Sequence, residues 1–150
     1  MNSIRRMSRR FPAIITAAIL TFMISGCGIA YEANRSQLLK TATVGDFGPR
    51  PPANYQDIES DMIRDMLKDP DSAKIRFGEL TTDAIQSGFA SPKAILIWKN
   101  DALVNAKNSY GGYVGFQAYH FAWRDGHIIA VAFPIVTEYG ASDGNWQYLK

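Results

Sequence analysis

The chain has 150 residues, of which 16 are Lys or Arg, 14 are Asp or Glu, and one is Cys. This length holds one small domain, and a single cysteine excludes an intramolecular disulfide. Four arginines and no acids lie in the first 26 residues, so the rest carries 12 basic against 14 acidic side chains, which excludes the basic excess typical of nucleic-acid binding.

The first 26 residues have the three parts of a bacterial secretory signal peptide. Arginines at positions 5, 6, 9 and 10 form a basic start, the apolar run 11–23 follows, and Ser25-Gly26 supplies the small residues that cleavage requires. The apolar run is shorter than the about 20 residues that a membrane span needs. We therefore predict that residues 1–26 are removed on export.

Ile24-Ser25-Gly26-Cys27 resembles a lipobox, the motif in which a cysteine receives a lipid and becomes the new N-terminus. The resemblance implies lipidation of Cys27, and the acyl chains of a diacylglyceryl group suffice for stable membrane attachment. An uncleaved anchor helix with an incidental cysteine is the other interpretation. Gly28 stands where a retention aspartate would stand. In a host with two membranes, this implies the outer membrane, with the protein facing the periplasm.

Residues 27–53 are predicted to be the lipidated cysteine followed by a flexible tether. Glycine and proline recur in this segment, and residues 47–52 indicate extended chain. Only residues 36–40 suggest a turn of helix. A flexible coil of this length has an end-to-end distance of roughly 28 Å, which would hold the domain just off the membrane.

The domain is predicted over residues 54–150 and begins with an amphipathic helix at 54–68. Ile58, Met62 and Met66 recur at four-residue spacing on one face of this helix, and charged side chains occupy the other face. The Asp69-Pro70 pair ends it.

Four strands are predicted after this helix, with polar loops at 81–92 and 100–112. The strands are residues 73–80, 93–99, 113–123 and 127–136. Asp125-Gly126 between two apolar runs predicts a hairpin with a tight turn. A two-residue loop would place Trp123 opposite Ile128 and Phe121 opposite Ala130.

Both faces of this hairpin are largely apolar, whereas the helix at 54–68 covers only one. The second face is predicted either to meet a partner or to be covered by residues 81–92 and 137–150. The sequence therefore predicts an α+β domain, in which one N-terminal amphipathic helix packs on a small antiparallel sheet of about four strands.

Catalytic and metal-binding patterns lack their required context. Gly140–Gly144 matches G-x-S-x-G, but that motif needs a strand–turn–helix setting and a downstream histidine, and no histidine follows Ser142. His120 and His127 have no partners at metal-ligand spacing. We predict no catalytic residue, no metal and no cofactor, and an envelope hydrolase is the least favoured function.

The segment 105–113 is polar and contains a Gly-Gly pair, which permits close backbone approach. Its candidate binding residues are Asn105, Lys107, Asn108, Tyr110 and Tyr113. They would present hydrogen-bond donors and an aromatic face to a ligand. The other interpretation is a structural corner, in which Asn and Ser side chains bond to their own backbone.

Two sequence blocks carry a family resemblance. Leu67-Lys68-Asp69-Pro70-Asp71-Ser72-Ala73 with Arg76-Phe77 forms the first block, and Val104-Asn105-Ala106-Lys107-Asn108-Ser109-Tyr110-Gly111-Gly112-Tyr113-Val114-Gly115-Phe116 forms the second. Together they resemble a group of small, uncharacterised bacterial envelope lipoproteins, over roughly residues 60–118. Members often carry a Cys-Gly pair before the second block, where this chain has Asp101-Ala102. The resemblance implies kinship and no specific activity.

These features predict a lipid-anchored envelope protein that acts as a non-catalytic binding or scaffolding module for a protein partner or a second copy of itself. One alternative is a peptidoglycan or carbohydrate binder, with Tyr110, Tyr113, Tyr119 and Trp123 stacking on sugar rings. The other alternative is an inhibitor of an enzyme that attacks the cell wall.

Overall fold

The computed structural model describes residues 28–88, 91–137, 140–142 and 146–149, with residues 135–137 and 140–142 described by their backbone alone. The helices are α1 (residues 28–41) and α2 (Tyr55–Met66), and short 3-10 helices lie at Val44–Phe47 and Pro70–Ser72. The strands are β1 (Lys74–Phe77), β2 (Thr81–Gln86), β3 (Ala94–Asn105), β4 (Gln117–Arg124), β5 (His127–Ala132), β6 (Ile135–Thr137), β7 (Gly140–Ser142) and β8 (Gln147–Tyr148).

The larger sheet contains six antiparallel strands in the order β1-β3-β4-β5-β8, with β2 also paired to β3. The 12-residue strand β3 accommodates two neighbours, because β2 pairs with its first half and β1 pairs with its second half. Strands β6 and β7 form a separate hairpin. The predicted α+β class is confirmed, and the sheet has six strands rather than about four.

The additional strands lie in segments that were predicted as loops. In β2 only Ala84 and Ile85 are buried, one on each face of the sheet, so this edge strand shows no alternation of polar and apolar residues. Strand β3 continues to Asn105, through part of the predicted loop 100–112. Asn100 is fully buried there, and its side-chain amide donates a hydrogen bond to Glu59 of α2.

Helix α1 occupies residues 28–41, where the sequence predicted a flexible tether, and that prediction is wrong for this segment. Tyr31, Leu38 and Leu39 pack against the core of the sheet, at seven- and eight-residue spacing on one helix face. The Asn34 side-chain oxygen accepts the backbone N–H of Ala94 at 2.7 Å. These long-range contacts, rather than local propensity, stabilise the helix. Among the described residues, no helix is long and apolar enough to cross a membrane.

The main core lies on one face of the sheet, which we call the helix face. Ile63 of α2, Phe121 and Trp123 are at most 1% exposed there. Tyr55 meets the indole of Trp123 edge-on, with ring centroids 6.5 Å apart.

The stripe predicted for the helix at 54–68 is only partly right. Met62 packs against the core, but Ile58 and Met66 are 36% and 41% exposed. The buried residues of α2 are Ile63 and Glu59, and Glu59 was predicted to lie on the charged face.

A carboxylate is built into this core. Glu59 is 0% exposed and accepts two hydrogen bonds, one from Asn100 Nδ2 and one from Trp123 Nε1, each at 2.6 Å. Burial raises the pKa of Glu59, and the hydrogen bonds from Trp123 and Asn100 act in the opposite direction. The other amide atom, Asn100 Oδ1, is buried without a hydrogen-bond partner among the described residues.

The hairpin of β4 and β5 turns at Asp125-Gly126, as predicted, and Trp123 lies opposite Ile128. Beyond that pair the predicted register is wrong by one residue. A β-bulge shifts the pairing, so Ala122 pairs with Ala130 and Phe121 with Val131. A bulge inserts one unpaired residue into a strand, and a pattern of apolar residues on both strand faces does not reveal it.

The opposite side of the sheet, the second face, is covered at one end. Ile85, Ile97, Ala122 and Ala130 are buried there, and Trp146 packs against them. The predicted coverage by residues 137–150 is thus found over this part of the face, through Trp146. Residues 81–86 of the segment 81–92 form β2 and belong to the sheet itself. The other end of the second face carries polar and exposed side chains, described next.

Candidate functional site

The two sequence blocks, whose contacting residues lie 35 to 41 positions apart in the chain, meet in space around Ser72. The backbone N–H of Lys107 donates to the Ser72 hydroxyl at 2.9 Å, and the Tyr113 hydroxyl donates to the Ser72 carbonyl at 3.3 Å. Lys68 Nζ donates to the Ser109 hydroxyl at 2.9 Å. We call this region, comprising residues 68–76, Leu103 and 105–116, the motif surface.

The loop of the motif surface is held by its own side chains. Asn108 Oδ1 accepts the backbone N–H groups of Tyr110 at 2.9 Å and of Gly112 at 3.1 Å. Asn105 Oδ1 accepts the N–H of Gly115 at 3.2 Å. Of the candidate residues, Asn105 and Asn108 therefore shape the loop, because their oxygens bond to its backbone.

Cations lie over the exposed aromatic rings of this surface. The ammonium groups of Lys74 and Lys107 are 4.5 and 5.8 Å from the centroid of the Tyr113 ring. The guanidinium carbon of Arg76 is 4.4 Å from the centroid of the Phe116 ring. Each such contact contributes about 0.5–1 kcal/mol at an exposed site. The contacts arrange three positive charges around the loop.

The motif surface exposes more apolar area than isolated surface residues normally do. Tyr110 is 96% exposed at the tip of the loop, and four further large side chains are at least 40% exposed, namely Leu103, Tyr113, Val114 and Phe116. Strand pairing places Arg76 beside Leu103. The loop and the uncovered end of the second face thus form one continuous surface, of the kind that marks interaction sites.

The predicted sugar-stacking residues do not share a surface. Tyr119 and Trp123 are 8% and 1% exposed and lie in the core of the helix face. The ring of Tyr113 is approached by Lys74 and Lys107. Of the four aromatic residues, Tyr110 and Tyr113 are exposed, whereas Tyr119 and Trp123 are buried because their positions in β4 face the core.

The cleft on the motif surface is smaller than a typical small-molecule site. The cleft beneath the loop, lined by Leu67, Lys107 and Tyr119 among others, has a volume of about 90 Å³. Small-molecule sites typically enclose about 300–1,000 Å³.

The sequence did not identify the two cations of β1 as part of the site. Lys74 and Arg76 lie two residues apart in β1, so both side chains point to the same side of the sheet. That alternation was available in the sequence. The contact of β1 with the second half of β3, which brings these cations to the loop, was not.

A second polar group lies in the middle of the second face. The Nδ1 atom of His120 is 2.6 Å from Asp101 Oδ1, and Lys99 Nζ is 3.2 Å from the same oxygen. Burial would raise the pKa of Asp101, but the hydrogen bonds from His120 and Lys99 outweigh burial and lower it. Beside this group lies a cleft of about 360 Å³. Charged side chains that line this cleft pair with one another, as Arg35 does with Asp83.

No cluster of three or more His, Cys, Asp or Glu side chains that would hold a metal occurs in the described part of the chain. Residues 140–142 of the G-x-S-x-G match form β7, and residues 143–145 lie outside the described residues. Cys27 and the predicted signal peptide also lie outside them.

Comparison with known proteins adds no relative to this description. No protein-family model, curated protein or solved structure matches the chain.

Proposed function

We propose that the chain is a lipid-anchored protein of a bacterial cell envelope, which binds a protein partner through the motif surface without catalysing a reaction. The signal peptide and lipobox of residues 1–27 support the location. The convergence of two distant sequence blocks on one exposed, internally braced loop carries the proposal for binding.

The charges of the motif surface favour a partner that presents acidic groups, because its four cations outnumber its two carboxylates, Asp69 and Asp71. Lys74, Arg76 and Lys107 are all exposed beside apolar side chains. An apolar centre with basic groups around it allows burial of apolar area together with long-range electrostatic attraction. Tyr110, the most exposed of these large side chains, is the natural first contact, because tyrosine anchors many protein interfaces.

Photo-crosslinking in cells tests this proposal. A photoreactive phenylalanine analogue at position 110 should crosslink to a specific envelope protein, whereas the same analogue at Val44 should not. Val44 is a matched control, since it is 69% exposed and lies in a separate 3-10 helix. Lys74→Glu with Lys107→Glu should reduce the adduct at position 110 several-fold, because like charges would then face the partner.

Identical adducts at positions 110 and 44, or an adduct at 110 that the charge reversal leaves unchanged, would contradict the proposed interface. An adduct with an enzyme that attacks the cell wall would identify the inhibitor alternative. If the parent protein and the charge-reversed variant sediment equally with purified cell wall, that result would instead support the peptidoglycan alternative and contradict a protein partner.

A further inference from the structure

Helix α1 starts at residue 28, directly after Cys27 in the sequence, and it is fixed to the sheet. The Tyr31 hydroxyl and Arg35 Nε both donate to the carbonyl of Ala84, at 3.4 and 2.9 Å. Arg35 also pairs with Asp83 at 2.5 Å. A lipid on Cys27 would therefore be joined to the folded domain without a flexible spacer.

The last strand of the described chain, β8, pairs with β5 at the other end of the strand order, and a side chain of β8 reaches across to β2. Tyr148 pairs with Ala130 in β5, and its hydroxyl donates to the carbonyl of Gln86 in β2. The backbone N–H of Leu149 donates to the carbonyl oxygen of Ile129 at 2.9 Å. The carbonyls of Ala84 and Gln86, two residues apart on the outer edge of β2, thus receive side chains from α1 and from β8.

Three exposed apolar side chains lie on these two elements. Ile29 in the first turn of α1 is 72% exposed, Leu149 is 45% exposed, and Tyr148 is 37% exposed. We call Ile29, Tyr148 and Leu149 the anchor patch. Exposed aliphatic side chains beside an aromatic ring suit the boundary between lipid headgroups and acyl chains.

The anchor patch and the motif surface lie near opposite ends of β3. Helix α1 contacts the first residue of β3, Ala94, and the motif surface begins at its last residue, Asn105. The rise of a strand is about 3.3 Å per residue, so the two ends are roughly 35 Å apart.

We infer that the anchor patch rests on the lipid surface, so that the domain sits directly on the membrane and directs the motif surface away from it. This inference rests on the lipid anchor of the proposed function. The acyl chains hold the first turn of α1 at the bilayer, and the contacts of Tyr31 and Arg35 pass that constraint to the sheet. Apolar burial of Ile29 and Leu149 then favours one orientation.

Depth-dependent fluorescence quenching tests the orientation on the full lipidated protein in phosphatidylethanolamine–phosphatidylglycerol vesicles. Leu149→Cys and Tyr110→Cys are each labelled with the environment-sensitive fluorophore NBD. Both positions are exposed, so labelling leaves the core intact. The thioether on Cys27 keeps the native sulfur from reacting. Lipids with a nitroxide near the headgroup should quench most of the emission at position 149 and little at position 110.

Adding Ile29→Glu to the Leu149→Cys protein should weaken the quenching, because a charge then faces the lipid. Equal quenching at positions 149 and 110, in protein that floats with the vesicles, would overturn the orientation while leaving the anchor in place. Quenching at 110 alone would also overturn it. A shielded, concentration-dependent signal at 149 in detergent would mean that a second copy covers the patch. Labelling of Cys27 itself, or failure to float, would refute the anchor and this inference with it.

Discussion

Glu59→Ala should lower the free energy of unfolding by roughly 3–5 kcal/mol. The substitution leaves the buried donors Trp123 Nε1 and Asn100 Nδ2 without their acceptor and opens a cavity under α2. A loss of this size is a large part of the about 5–15 kcal/mol that stabilises a typical domain. Urea unfolding followed by tryptophan fluorescence measures it.

Glu59→Gln is the matched control for this effect. The glutamine oxygen can accept the Trp123 N–H, and its amide can donate to Asn100 Oδ1 once the Asn100 side chain turns over. Two hydrogen bonds are retained, so Glu59→Gln should cost far less than Glu59→Ala. Equal stability of Glu59→Ala and the parent protein would show that this carboxylate does not hold the core together.

The same pair gives a prediction with a definite sign in pH. Burial raises the pKa of Glu59 above its ordinary 4.5, so the folded protein retains this proton to higher pH than the unfolded chain does. The resulting stabilisation is complete below pH 4.5 and is lost as pH rises through the raised pKa. Unfolding free energies measured upward from pH 4.5 should therefore fall more steeply in the parent than in Glu59→Gln.

The contribution of Asp101 to folding stability depends on pH in the opposite direction and in a separate pH range. Its pKa is lowered from 3.8, so its contribution is present above that value and is lost as pH falls through the lowered pKa. The two effects are thus separable in one titration. An unchanged slope in Glu59→Gln would contradict the assignment of the upper range to Glu59.

Cys27→Ser should release the protein from the membrane and abolish its labelling by radioactive fatty acid. Each buried methylene of an acyl chain contributes about 0.8 kcal/mol, so the acyl chains supply most of the attachment. The anchor patch of three side chains is too small to replace them. Flotation of vesicles and fatty-acid labelling measure the two losses separately.

Tyr110→Ala is the control for this experiment, because it changes an exposed residue of the motif surface and should keep both the label and the attachment. Equal labelling of Cys27→Ser and the parent would refute lipidation at this residue. Unlabelled Cys27→Ser protein that still floats would support the uncleaved anchor helix.

The sequence predicted the elements whose side chains show a clear period. The helix at 54–68 contains α2, and Asp125-Gly126 forms the turn of the central hairpin. The pattern failed where long-range contacts decide the structure. Helix α1 depends on Asn34 meeting Ala94 and Arg35 meeting Asp83, and β2 is a polar edge strand that needs β3 as its partner.

The candidate site was predicted in part. Lys107, Tyr110 and Tyr113 of the predicted loop lie on the motif surface, and the resemblance already linked the two blocks in the sequence. The roles of Lys74 and Arg76 depend on the pairing of β1 with β3, which no local pattern contains.

The prediction that the second face is apolar is right only at the end that Trp146 covers. The middle of the face carries the polar group of Asp101 and His120, and the other end carries cations of β1.

The closure of the β2 edge by Tyr31, Arg35 and Tyr148 has a consequence for a protein concentrated in two dimensions. An open strand edge is a template for pairing with another chain, and confinement to a membrane would bring such edges together often. Here side chains occupy the outward carbonyls of β2, and β1 on the same edge is four residues long and carries Lys74 and Arg76. The described strand at the opposite edge, β8, has two residues. Neighbouring copies can therefore crowd on a membrane without joining their sheets into aggregates.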